Sequence, residues 1–139
     1  MTAKEFLRRA RDVDRRVDEA QERVDRLRAR LEAGRLSRVT GMPRGGGADW
    51  TETADRLIEL ERRVTTQTKE MVTWKLAAID AIESVPEMRL REVLELYYLD
   101  GYTWQQVAQR MELSDRHVQR LHGIALLQVR VPKEFAAKA

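Results

Sequence analysis

Two helix-start signals stand close together near the carboxyl end, at Thr103 and Ser114, and few folds accommodate that pairing. Thr103 with Gln106 forms a Thr-x-x-Gln capping box at the head of WQQVAQRM. Ser114 opens DRHVQRLHGIALLQVR, which carries a helical pattern through Arg130. Only Met111-Glu112-Leu113 separates the two, a span suited to the tight corner of a helix-turn-helix. The spacing places Trp104, Val107, Ala108, Met111, Leu113, Val118, Leu121 and Ala125 inside. A small residue at Ala108 lets the two helices cross closely, where a larger one would force them apart.

Upstream, two long patterns are visible. In residues 2–33 the apolar positions are Phe6, Ala10, Val13, Val17, Ala20, Val24, Leu27 and Leu31, alternating steps of four and three. That is a heptad seam. Thr2 with Glu5 forms a capping box at its start, and Gly34 is the expected terminator. A helix of that length spans about 48 Å and needs a partner to bury its stripe. Asp49 with Glu52 opens a second long helix, to residue 84, with a seam at Leu57, Leu60, Val64, Gln67, Met71, Trp74, Ala78, Ala81 and Val85. Polar Gln67 interrupts the seam and is a candidate for setting register. Val72, Ile79 and Ile82 widen the stripe where a further helix docks. Trp74 and Trp50 are expected to pack between the long helices. The two seams fit an antiparallel hairpin within the chain or pairing between chains.

Residues 34–48, GRLSRVTGMPRGGGA, read as a flexible linker rich in Gly, Pro and Arg. The Gly run lacks the Gly-Lys-Ser/Thr of a nucleotide-binding loop. A basic tether touching nucleic acid through Arg35, Arg38 and Arg44 is the other reading. Ser84 with Glu87, and Pro86 in the first turn, predict a third helix through Leu99, ended by Gly101. Residues 132–139 form a tail in which Phe135 either docks or stays loose.

Charge is uneven. Residues 1–48 hold 13 basic and 8 acidic side chains, residues 49–85 hold 5 and 8, and residues 86–139 hold 8 and 7. Arginine predominates, which suits bidentate contacts to carboxylate or phosphate alike. With no cysteine, disulfides and thiolate metal sites are excluded. His117 and His122 lack partners for a metal pair. No carboxylate pair or nucleophile set stands out, so neither an enzyme nor a cofactor is expected. No apolar run reaches membrane-span length and the first residues lack a signal-peptide core, so a cytoplasmic protein with no membrane contact is expected.

The second helix of the pair turns Val118, Leu121 and Ala125 inward. Its exposed amino-terminal face is then Asp115, Arg116, His117, Gln119 and Arg120, the part of such a helix that enters the major groove. Arg116 and Arg120, four apart, point the same way. The free N–H groups near Ser114 suit a phosphate. A solvated helix face in a protein-binding module is the plainer reading of the same residues.

The sequence from Val85 to Arg130 resembles region 4 of the sigma-70 class of bacterial sigma factors. The resemblance rests on Pro86-Glu87, RLREVLELYYLDGYT, WQQVAQRMELS and RHVQRLHGIALLQVR. Gln106 stands where that family usually carries an acidic residue. The whole chain is similar to phage late-gene transcriptional regulators of the ArpU- and RinA-like kind and to a related family of uncharacterised domains. These join charged helices, a Gly-Met-Pro-Arg-Gly-like linker and a sigma-4-like end. The resemblance implies that Asp115, Arg116, Gln119 and Arg120 contact bases or nearby phosphates of double-stranded DNA.

The expected fold is therefore all-α: a coiled-coil-like hairpin of long N-terminal helices, then a sigma-4-like helix-turn-helix over residues 85–131. The implied function is sequence-specific DNA binding by a transcriptional regulator, phage or prophage encoded, acting in the host cytoplasm. Its N-terminal helices would form a homodimer or contact host RNA polymerase. The rivals are an oligomeric DNA-packaging protein like a small terminase subunit, and an RNA polymerase-binding adaptor.

Overall fold

The computed structural model describes residues 1–39 and 47–136, and among them every regular element is helical. α1 is Ala3–Val39, α2 Gly47–Glu83, α3 Met88–Leu94, α4 Trp104–Met111, α5 Asp115–Gln128 and α6 Lys133–Ala136. A π-helical segment, Glu95–Leu99, directly continues α3. The chain divides into two compact units, residues 15–70 and residues 1–14 with 71–139.

Residues 15–70 hold the carboxyl-terminal part of α1 and the amino-terminal part of α2. Val17 and Val24 are buried, while Leu27, Leu31, Leu57, Leu60 and Val64 are half-buried. The two helices pair within the chain here, with an Arg28 nitrogen 2.7 Å from Glu61 Oε1. That bridge is solvent-washed and adds little to stability. Gln67 is exposed, so it does not act as a buried register residue. α1 also runs past its expected end. Gly34 is buried inside the helix, which stops at Val39. An interior glycine costs about 1 kcal/mol relative to alanine, too little to break a helix whose covered face continues through Leu31. The central residues of the expected linker, 40–46, and with them Arg44, lie outside the described residues, as does the Arg38 side chain. The flanks of that segment are helical. Because α2 begins at Gly47, Asp49 falls inside its first turn and not at its cap.

The other unit begins with the Thr2–Glu5 box: Thr2 N donates to Glu5 Oε2 at 3.0 Å and Glu5 N to Thr2 Oγ1 at 3.2 Å. One core joins Phe6, Leu7, Ala10 and Val13 of α1 to Trp74, Ala78, Ala81 and Ile82 of α2. Leu90, Leu94, Tyr98, Ala125, Val129 and Phe135 complete it. Phe135 of the expected tail is the capstone. It lies 4.5 Å from the Trp74 ring centre and 5.5 Å from that of Phe6. Residues 133–136 of the tail thus form the short helix α6, residues 137–139 lie outside the described residues, and Trp74 packs in this core. Lys75 Nζ meets Asp14 Oδ2 at 3.2 Å.

Further departures from the sequence pattern lie in this unit. Ser84 does not cap α3; its Oγ donates back to the Ala81 carbonyl at 2.6 Å, closing α2. Glu87 is the extended residue before α3 and makes no side-chain cap. Fully buried Val85 pins the chain between the two helices, so Ser84 belongs to the first of them. The third helix is not α-helical throughout: its last turn widens, with Asp100 N donating to the Glu95 carbonyl at 2.9 Å. α5 stops at Gln128 and not at Arg130, because Val129 turns extended and buries itself in the core. Pro132 follows and disfavours helix in the residue before it.

Candidate nucleic-acid interface

Gly101, at φ +77, reverses the chain after the π-helical turn, and Thr103 starts α4. Thr103 N donates to Gln106 Oε1 at 2.9 Å, and Gln106 N to Thr103 Oγ1 at 3.2 Å, the reciprocal box the sequence pattern predicts. α4 ends at Glu112, in the left-handed region at φ 57 and ψ 41. Leu113 N then donates to the Ala108 carbonyl at 3.0 Å, which gives the turn the bonding of a Schellman motif. No glycine marks this position, so the sequence pattern gives no sign of the positive φ. Ser114 Oγ accepts from His117 N at 3.1 Å and caps α5.

Val93, Val107, Ala108 and Val118 form a small core of their own beneath this corner, flanked by Tyr102, Trp104, Met111, Leu113 and Leu121. Ala108 is 4% exposed, as a close crossing requires. On α5, Val118, His122 and Ala125 are buried. Ser114, Asp115, Arg116, Gln119 and Arg120 are exposed, and His117 is half-buried. The six residues singled out from the sequence therefore occupy the cap and the outer side of one helix end. Among the described residues, neither Arg116 nor Arg120 is held in an ion pair.

A buried polar pair supports α5 from behind. His122 Nε2 lies 2.7 Å from Tyr98 Oη. Burial, and secondarily the charge of Lys4, holds the His122 imidazole down at about 4. Burial likewise pushes the Tyr98 phenol up to about 12. Both are neutral near pH 7, so the bond joins uncharged partners. Trp104 is only half-buried. It stacks on Tyr97 at 3.8 Å and meets the His122 ring at 4.5 Å. The Arg11 guanidinium covers the other end of this row, 4.2 Å from the Tyr97 ring centre. Its Nε donates to the Tyr97 carbonyl at 3.0 Å. That carbonyl sits in the last turn of the helix, where backbone acceptors lack partners. The pattern of α1 gave Arg11 no role. Its only signal is a place on one face with Lys4 and Arg8.

The family model for sigma-70, region 4, matches residues 81–131. The match takes in α3, the π-helical turn, the α4–α5 corner and the chain just beyond. No curated protein and no solved structure matches the chain. The region 4-like unit is thus a helix-turn-helix, with α5 in the position of the helix that such modules insert into DNA. Its exposed end combines two unpaired guanidinium groups, one amide and one carboxylate. Arginine can grip guanine O6 and N7 with two bonds, glutamine adenine N6 and N7, and aspartate can accept from cytosine N4. Elsewhere among the described residues, no helix is long and apolar enough to cross a membrane.

Proposed function

We propose that this protein is a sequence-specific DNA-binding transcriptional regulator, phage or prophage encoded, that works in the cytoplasm of a bacterial host. Its α5 enters the major groove. Arg116, Gln119 and Arg120 read base edges and Asp115 accepts from cytosine N4, while Ser114 and His117 set the helix end against the adjacent phosphates. The observation that carries this reading is the outward, unpaired placement of Arg116 and Arg120 on a capped helix of a region 4-like unit. The phage assignment rests on the likeness of the charged helices, Gly-Pro-Arg segment and region 4-like end to phage late-gene regulators.

One recognition helix offers few base contacts, each worth roughly 1–3 kcal/mol. Discrimination against genomic DNA needs roughly 4–10 kcal/mol. A second copy of the chain supplies the difference, with host RNA polymerase as a further partner. Support for dimerisation comes from residues 15–70, where Leu27, Leu31, Leu57 and Leu60 remain half-buried and Ile58 is 56% exposed. The seams are not used up within one chain.

Selection of duplexes from a random pool with the purified protein, at two salt concentrations and alongside a solution mass, tests the proposal. A shared motif with two spaced half-sites and a dimeric mass are expected. A ring of many subunits with no motif would assign the chain to DNA packaging instead.

A further inference from the structure

Outside the helix-turn-helix, three cations stand on one face of α1. Lys4, Arg8 and Arg11 follow at steps of four and three, so they share one side of the helix. Arg11 fixes where that side lies, through its bond to the Tyr97 carbonyl and its cover of the Tyr97 ring. From Tyr97 the contacts continue to Trp104, the first residue of α4, and from Trp104 to His122 of α5. The cationic face of α1 therefore runs beside the place where α4 begins against α5. The charge of Lys4 reaches His122, and that of Arg8 reaches Tyr98, consistent with this placement.

Arg11 is engaged with Tyr97. Lys4 and Arg8 are exposed, and among the described residues neither has an ion pair. Of the acids on this stretch of α1, Glu5 accepts from Thr2 N, and Asp14 meets Lys75. In helix-turn-helix complexes the first helix of the pair crosses the DNA backbone. Phosphates of a duplex read by α5 thus pass near the start of α4, which the α1 cations flank.

We propose that Lys4 and Arg8 grip phosphates of the same duplex that α5 reads, so that the DNA-contacting surface extends from the helix-turn-helix onto the first turns of α1. This rests on the reading of α5 as the base-reading helix. Phosphate contacts position a protein on DNA and add affinity without sequence preference. Each releases condensed counterions, steepening the fall of log K with log salt by about 0.9.

The test uses the full chain, the duplex recovered by selection and a scrambled duplex, titrated between about 50 and about 200 mM salt. The K4Q/R8Q double variant is expected to lower the salt slope by about 2 and to weaken both duplexes about equally. Its ratio of specific to scrambled affinity stays at the wild-type value, and K4R/R8K keeps the wild-type slope. R116A, in the same titration, loses the ratio. If K4Q/R8Q keeps the wild-type slope and affinity while R116A still loses the ratio, α1 is outside the interface and only this inference falls. Should wild type show no preference between the duplexes and R116A change nothing, the reading of α5 falls and takes the α1 contact with it.

Discussion

His122 is a histidine kept neutral by its surroundings, and its pH dependence has a definite sign. Its folded value, about 4, lies below the ordinary 6.5. The unfolded chain therefore binds the extra proton in the interval between them. This contribution to stability is complete above about pH 6.5 and is lost as pH falls through about 4. Calorimetry at pH 5 should show uptake of about one more proton on unfolding in wild type than in H122F; equal uptake would remove the argument. At Glu112 the strain is in the backbone. A left-handed residue with a Cβ costs roughly 1–2 kcal/mol, and glycine avoids most of that. E112G is expected to raise stability by about 1 kcal/mol in urea unfolding, net of the entropy glycine adds to the unfolded chain. A loss of stability would show that the Glu112 side chain holds the turn.

Helices follow from caps and seams where the signal is local. The Thr2–Glu5 and Thr103–Gln106 boxes and the Ser114 cap all form, because each needs only residues three apart. Patterns failed where a distant neighbour decided. Ser84 has the right spacing to Glu87, but buried Val85 commits it to α2. Gly34 looks like a terminator, yet the face it lies on stays covered. The π-helical turn leaves no mark in the one-dimensional pattern, and it is the turn that carries both Tyr97 to Trp104 and Tyr98 to His122. For the candidate site, the outward set on α5 was legible from its period alone. The Arg11–Tyr97 contact was not, since it joins residues 86 positions apart. At this scale the α4–α5 crossing is the sensitive point. A108L should cost roughly 1–3 kcal/mol by overpacking, and S114A about 1 kcal/mol by loss of the cap. Thermal unfolding checks both; an unchanged midpoint for A108L would mean that the helices do not meet there.

Both long helices contribute to both compact units. Residues 1–14 and 71–139 build the core behind the helix-turn-helix, and residues 15–70 carry the incompletely buried seams. DNA reading is proposed for residues 1–14 with 71–139, and pairing of copies for residues 15–70. Sedimentation at micromolar concentration should then give twice the 16.2 kDa chain mass. I58D should shift it to monomer without unfolding, since Ile58 is exposed within one chain. A monomer in wild type would leave the missing specificity to a polymerase partner.

The central claim is that the outer face of α5 reads bases. Its most direct test is the ratio of dissociation constants for the selected and scrambled duplexes, measured for wild type and for R116A and R120A at one salt concentration. Losing one bidentate contact costs roughly 1–3 kcal/mol of discrimination. Each variant is therefore expected to lower the ratio by about ten-fold or more with its unfolding midpoint intact. Ratios equal to wild type in both variants would contradict the account.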